Sequence, residues 1–336
     1  MPTDPIILPD MPAVEGLSFR SPRLQDADAI HALRAGCIAR DQVDLLSTSE
    51  GLPSLDEMRQ ALGQVIAKGQ QDQRLVAQAG DRVVGYSLID SWSEDDGRWV
   101  YLTLGWVLPE WRGRGIGTAM LHWAEQTARR LAAEQHPGEP FEFAANASST
   151  ELDATALLLH EGYFAGYTQL EMELDWPALP PVHPLPPGVE LRPVLPEHYR
   201  PIAESHQEAY QDNLANDRFK QTWSLDNSLA AMSDAQHDPT LWQVAWAGDQ
   251  VVGDVMPLIE KGRALLYNVS VRPAWRRQGL ARALLTRALW HLRERRVDVV
   301  RLNTVAEFRT RARDLYTSVG FRVVKEFPRY RKSPGL

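Results

Sequence analysis

The chain has a single cysteine, Cys37, in 336 residues. That excludes an internal disulfide and any metal site built on several thiolates. Long apolar runs are missing as well: none approaches the roughly 18 residues of a membrane span, so no membrane partner is expected. The start, Met1-Pro2-Thr3-Asp4-Pro5, has neither the basic beginning nor the apolar stretch of a secretory signal. The expected location is the cytoplasm. Basic residues are fewer than acidic ones, 36 against 44, for a net charge of −8. This gives no general attraction to nucleic acid. The nine histidines contain no His-x-x-x-His or His-Glu-x-x-His spacing, and no metal centre is expected. What is left is a globular balance of 44% hydrophobic and 24% charged residues, long enough for two ordinary domains.

The informative presence is a turn that occurs twice. It reads Pro109-Glu110-Trp111-Arg112-Gly113-Arg114-Gly115-Ile116-Gly117 in the first half and Pro273-Ala274-Trp275-Arg276-Arg277-Gln278-Gly279-Leu280-Ala281 in the second. Each copy follows a strand-like run and opens a helix-like run. Backbone N–H groups and a helix N-terminus then converge where an anionic diphosphate can sit. A small residue is needed there because a side chain would hold backbone and phosphate apart. Two copies at matching places indicate an internal duplication.

The correspondence extends along the chain. Gly16-Leu17-Ser18-Phe19-Arg20 matches Gly188-Val189-Glu190-Leu191-Arg192, and Ala79-Gly80-Asp81 to Gly85 matches Ala247-Gly248-Asp249 to Gly253. The Gly-Asp pair has hairpin-turn chemistry. Six prolines fall in the eleven residues from Pro177 to Pro187. They predict a semi-rigid spacer, a proline-rich ligand segment being the less common use. The expected domains are therefore 1–176 and 188–336, with a linker at 177–187. In the second half the predicted elements are a strand Leu265–Val271, a helix from about Gly279 to Glu294 with Leu280, Leu284, Ala288 and Leu292 on one face, a strand Val299–Asn303, and a helix ending near Val319. Strand and helix in alternation give an α/β fold.

These residues resemble the GNAT superfamily of acyl-CoA-dependent N-acetyltransferases. The signature Arg/Gln-x-x-Gly-x-Gly/Ala is met by Arg112 to Gly117 and by Arg276 to Ala281. The later Asn303 and Leu315-Tyr316-Thr317-Ser318-Val319-Gly320-Phe321 look like the family's next strand and its Leu-Tyr-x-x-x-Gly-Phe element. The tandem layout is similar to that of the mycothiol synthase type. A Rossmann turn fails because Thr118 or Met120 stands where its last glycine or alanine belongs, and no Gly-Lys-Ser/Thr occurs.

The resemblance implies two modules, each a mixed, mostly antiparallel twisted sheet flanked by helices. It implies acetyl-CoA as cofactor and a small-molecule amine as acceptor. Cofactor contacts fall on Val269, Ser270, Val271, Arg276, Arg277, Gln278, Gly279, Leu280, Ala281, Arg282 and Asn303 in the second module. In the first they fall on Trp106, Val107, Arg112, Gly113, Arg114, Gly115, Ile116, Gly117 and Thr118. Alternation puts Tyr267, Val269 and Val271 on one face and Asn268 and Ser270 on the other. Backbone contacts are favoured over any one arginine, since eight arginines lie between Arg272 and Arg296 and most must face water. Tyr316 is the implied general acid, a phenol able to protonate the departing thiolate. Aligning Gly162 with Gly320 puts Leu158 in its place in the first module, which would bind the cofactor and turn it over slowly or not at all.

For the general base, Asp254, Glu260 and Glu307 are candidates, each expected at the surface, and a water chain is equally open. Where the mycothiol synthase type has a glutamate, this chain has Leu265. Trp111 and Trp275 are expected to pack beside the turns. Trp92, Trp99, Trp223 and Trp242 are expected to pack rather than to line an acceptor pocket. Two other readings stay open: a non-catalytic acyl-CoA-binding or sensing protein, and a protein or peptide N-terminal acetyltransferase. A monomer suffices if the modules pack as two chains do in related dimers, and a homodimer stays open.

Overall fold

Strands with one apolar face and helices with one apolar stripe must bury both against each other. The computed structural model describes how they do so for all residues except 1–4, 9, 44–50, 95, 175, 177–178, 212–223, 235–236, 261, 307–310 and 336. The chain forms two compact units, Met1–Gly166 with Phe327–Leu336, and Tyr167–Glu326.

The first unit contains β1 (Leu17–Arg20), α1 (Ala27–Asp41), α2 (Leu55–Ala67), β2 (Arg74–Ala79), β3 (Arg82–Ser93), β4 (Trp99–Val107), α3 (Ile116–Gln135), β5 (Phe141–Asn146) and α4 (Leu152–His160). The strands β1 to β4 pair antiparallel in sequence order, and β4 then pairs parallel with β5. α3 buries Ile116, Ala119, Met120, Trp123, Ala124 and Ala128, the three-and-four spacing of one helix face.

The second unit repeats the plan. After β6 (Phe164–Leu174) come β7 (Glu190–Leu191), α5 (Tyr199–Tyr210), α6 (Leu225–Met232), β8 (Gln243–Ala247), β9 (Gln250–Glu260), β10 (Arg263–Val271), α7 (Leu280–Glu294), β11 (Val299–Val305), α8 (Ala312–Thr317) and β12 (Phe321–Lys332). The sheet order is β6-β11-β10-β9-β8-β7, antiparallel except for the parallel β10–β11 pair. One core holds α7 through Leu280, Leu284, Ala288 and Leu292, as the periodicity predicts. A separate cluster holds Ile202 and Ala203 of α5 against Val244, Val251 and Met256. The mixed, mostly antiparallel sheets are those expected.

The chain divides elsewhere than at the proline-rich segment. Hydrogen-bonded pairing decides the boundary: Gln169 to Glu173 of β6 pair with Val305 to Arg301 of β11. At the other end, Arg329 to Lys332 of β12 pair with Asn146 to Phe143 of β5. Each sheet is thus completed by a strand that the 1–176 and 188–336 boundaries would assign to the other domain. Nor do the described residues of 177–187 stand off as a spacer. Trp290 Nε1 donates to Pro180 O at 2.9 Å, and His183 N–H donates to Thr286 Oγ at 3.0 Å. The segment is strapped along α7.

Candidate active site

The repeated turn has the conformation that its glycines require. Gly115 and Gly279 precede α3 and α7 with φ of 80° and 84°, in the left-handed region open to glycine. A Cβ at Gly279 would stand 3.0 Å from His183 Cε1, and one at Gly117 would stand 3.3 Å from Leu157 Cδ2. Ile116 and Leu280 are each 1% exposed. Their side chains belong to the cores, so at the site they can offer only N–H groups. Arg114 Nη2 donates to Glu110 O at 3.1 Å, and Gln278 Nε2 makes the equivalent bond to Ala274 O at 3.0 Å. These two side chains brace the turn from outside.

The arginine that begins each motif faces inward. Arg112 Nε donates to Val107 O and Arg276 Nε to Val271 O, both at 3.1 Å. Arg112 also makes two 2.7 Å bonds to Asp41 and one of 3.2 Å to Asp153. The Asp41 bonds above all push its proton affinity up, so it stays a cation. Arg276 Nη2 donates to Ala209 O at 2.7 Å. These guanidinium groups tie the end of the central strand to the first helix of each unit. Arg277 is exposed, and Arg282 Nη2 donates to Ser318 Oγ at 2.6 Å.

Beside each turn two parallel strands part. β4 pairs with β5 only as far as Thr103 and Ala145, and β10 pairs with β11 only as far as Leu265 and Arg301. Antiparallel bonds alternate along a strand. Leu108 N–H bonds to Val84 O and Arg272 N–H to Val252 O. By that alternation the amides of Gly105 and Val107, and those of Val269 and Val271, point away from β3 and β9 into the gaps. Each gap is thus faced by main-chain donors that the antiparallel ladder does not use.

In the first unit the gap opens into a cavity of about 340 Å³. Trp106, Val107, Arg112, Gly113, Gly115, Gly117 and Thr118 line it, while Arg114 and Ile116 do not. Leu158 lines it too, the residue aligned with Tyr316. The lining includes Asn146, the counterpart of Asn303 at the end of the next strand. Sequence reading passed over Asn146, although the repeat points to it. Asn303 lies two residues beyond the last β10–β11 pair, opposite Glu171 of β6.

In the second unit β10 is bulged. Its register against β9 shifts between Leu266 and Asn268, whereas β4 runs against β3 without a shift. The bulge leaves Tyr267 as the extra residue. It also changes the expected faces. Val269 and Val271 pack against the α7 core. Tyr267 lies with its ring 5.0 Å from that of His237, which meets Trp242 of the α5 cluster. Tyr267 therefore shares the side of Asn268 rather than that of Val269. Ser270 is 3% exposed and donates to Asp254 Oδ2 at 2.7 Å, so its side chain turns away from the gap.

Asp254 is the main surprise. Expected at the surface, it is 0% exposed. Asn268 Nδ2 and Ser270 Oγ each donate to it at 2.7 Å, and His206 Nε2 lies 3.0 Å away. A buried carboxylate persists only with such partners. Behind the strand and fully engaged, it is not placed to take a proton from an acceptor amine. The Glu260 side chain, Glu307 and Trp223 lie outside the described residues. Tyr316 of α8 is buried, packs edge-on to Phe321 at 6.1 Å between ring centres, and has its phenol pushed up by burial. It keeps its proton at neutral pH, as an acid must. Trp111 and Trp275 pack against their cores, Trp99 stacks on His136, and Trp242 is buried in the α5 cluster.

Comparison with known proteins follows the same outline. The profile of the acetyltransferase (GNAT) family matches residues 41–137 and 199–321. A mycothiol acetyltransferase of Kineococcus radiotolerans is 31% identical over 217 residues, which are 64% of this chain and 67% of that protein. One from Cellulomonas flavigena is 29% identical over 312 residues, 88% of this chain and 82% of that protein. The crystal structure of a GCN5-related N-acetyltransferase from Sphaerobacter thermophilus matches with a TM-score of 0.68 at 23% identity, covering 96% of this chain and 97% of that one. That likeness bears on the fold. With two matched regions, each carrying the turn and the strand before it, the chain belongs to the acetyltransferase (GNAT) family and is a tandem N-acetyltransferase.

Proposed function

We propose that the protein moves an acetyl group from acetyl-CoA to the amine of a small molecule, and that the chemistry runs in the second unit. The first unit, in this reading, holds acetyl-CoA without turning it over. The observation that carries the assignment is the bulged, parted strand β10, whose Val269 and Val271 pack against the core that holds Tyr316. The first unit has the gap and the turn but an unshifted strand and Leu158.

The second turn would take the diphosphate on the N–H groups from Arg277 to Arg282. The pantetheine arm would run between β10 and β11. An amide of Val269 or Val271 would donate to the thioester oxygen, a contact typically worth about 3 kcal/mol of barrier where negative charge develops. The amine nitrogen attacks the carbonyl carbon and forms the new C–N bond. As the tetrahedral adduct collapses, the C–S bond breaks and Tyr316 gives its proton to the leaving thiolate. Water or a carboxylate must remove the amine proton. The two curated relatives are named mycothiol acetyltransferases, which favours a small-molecule acceptor. Leu265 cannot act as a base, so identity of acceptor with theirs does not follow.

The test is free-thiol release from acetyl-CoA across a panel of small amines, mycothiol precursors included, with binding measured in parallel. Release that depends on an amine supports the reading. Binding at both units without release from any amine or peptide N-terminus would favour a sensing protein instead.

A further inference from the structure

A polar network sits behind β10, and the transfer step as described does not use it. Four side chains from three elements form it: buried His206 and half-buried Tyr210 of α5, buried Asp254 of β9, and buried Asn268 of β10. Asn268 Nδ2 donates to Asp254 Oδ1 at 2.7 Å and lies 2.8 Å from His206 Nε2. Tyr210 OH donates to Asn268 Oδ1 at 2.6 Å and lies 3.3 Å from Val269 O. Asp254, His206 and Asn268 are 0%, 1% and 1% exposed. The chain of bonds therefore runs from a sealed carboxylate to the backbone of the residue that faces the gap.

The repeat provides a comparison within one chain. Gly85 matches Gly253, so Tyr86 holds the place of Asp254. Val107 matches Val271, so Leu104 holds that of Asn268 and Trp106 that of Ser270. Ile30 matches Ile202, so Arg34 holds the place of His206 and Ile38 that of Tyr210. There the first unit has a stack: Tyr86 lies on Trp106 at 6.2 Å, with the Arg34 guanidinium 4.3 Å above the same ring. Ser87 Oγ donates to Leu104 O at 3.1 Å there, and among the described residues no tyrosine hydroxyl takes the place of Tyr210 at Gly105, the match of Val269. The unit without the network is also the one whose central strand is not bulged.

We propose that Asp254, His206, Asn268 and Tyr210 form a positioning network that locks the bulge of β10 and aims the Val269 amide at the thioester oxygen. The bulge begins one residue before Asn268, and Asn268 is the residue that the network grips. An extra strand residue leaves ladder groups unpaired. Without an anchor those groups could shift by the ångström or so that is enough to cost about a hundredfold in rate. Burial keeps the Tyr210 phenol protonated, with Tyr316 and Asp254 among its electrostatic neighbours, so it remains a donor in the network. The inference rests on the reading of the second unit as the reacting one.

The experiment uses the full chain with acetyl-CoA carrying ¹³C at the thioester carbonyl, and compares wild type with Tyr210→Phe and Asn268→Leu. Infrared difference spectra report carbonyl polarisation, and Gly279→Val assigns the band of the second unit. In wild type that band lies below the frequency of free acetyl-CoA. Both variants are expected to return it toward the free value and to lower kcat by roughly tenfold or more, while acetyl-CoA affinity stays within about threefold. A packing role alone would lower the melting temperature and leave the band in place. An unmoved band and unmoved kcat in either folded variant overturns the network proposal and leaves the assignment of the second unit standing. A wild-type band with no shift at the second unit overturns both.

Discussion

Leu158 and Tyr316 stand four residues before Gly162 and Gly320, and each is the one buried residue of its short helix, α4 or α8. The same structural place carries an aliphatic side chain in one unit and a phenol in the other. Tyr316→Phe keeps the ring against Phe321 and removes only the hydroxyl. We expect kcat to fall by roughly a hundredfold, the usual scale for losing a general acid, with acetyl-CoA affinity little changed. Steady-state thiol release and equilibrium binding on the same preparation check this. Undiminished turnover would move the proton transfer to water or to another residue.

Arg277 holds φ at 63° where the first unit has Gly113 at 71°. The left-handed conformation costs an ordinary L-residue about 1 kcal/mol. Arg277→Gly is therefore expected to stabilise the second unit by roughly that amount. Chemical denaturation is the measurement. A destabilised variant would mean that the arginine side chain contributes more than its backbone costs.

Much of this was legible in the sequence, because the repeat could be aligned with itself. The two turns, the face of α7, the hairpins at Gly80 and Gly248 and the contrast between Leu158 and Tyr316 depend on local chemistry within a few residues. The bulge at Tyr267 and the parting of β10 from β11 depend on which strands pair and where pairing stops, which no single strand encodes. Asp254 was misjudged for a related reason. A carboxylate on a strand reads as solvent-facing until its partners are known, and His206 and Asn268 are 48 and 14 positions away. The usable signal was the repeat again: Asp, His and Asn stand where the first unit has Tyr86, Arg34 and Leu104. The placement of β6 and β12 was hidden because their partners, Arg301 to Val305 and Phe143 to Asn146, lie more than a hundred positions away and no single strand encodes that pairing.

Gly117 and Gly279 allow the two units to be addressed separately. A side chain at position 117 meets Leu157 and intrudes into the cavity of the first unit. One at position 279 meets His183 and has to accept a φ of 84°. Gly117→Val and Gly279→Val are each expected to remove one of two classes of acetyl-CoA site in calorimetric titration. Turnover should track the second substitution, falling at least about tenfold further in Gly279→Val than in Gly117→Val. The opposite order would assign the chemistry to the first unit.

His122 of α3 joins two carboxylates, with Nδ1 2.6 Å from Asp10 Oδ2 and Nε2 2.8 Å from Glu161 Oε2. The Glu161 bond first, and Asp10 with it, raise the imidazole pKa above its ordinary 6.5 against the smaller effect of burial. A raised folded-state pKa means the protonated ring stabilises the fold. That contribution is complete below about pH 6.5 and fades as pH rises through the folded-state value. The His122 side chain is 30% exposed and that of Asp10 63%, so solvent screening limits the effect to about 1 kcal/mol. His122→Gln should therefore melt below wild type at about pH 5.5, and the gap should narrow as pH rises through the folded-state pKa, toward about pH 9. Thermal melts of both proteins at the two pH values are the check. A gap that widens with pH would mean that the neutral ring is the stabilising form and that the two carboxylates do not hold it as a cation.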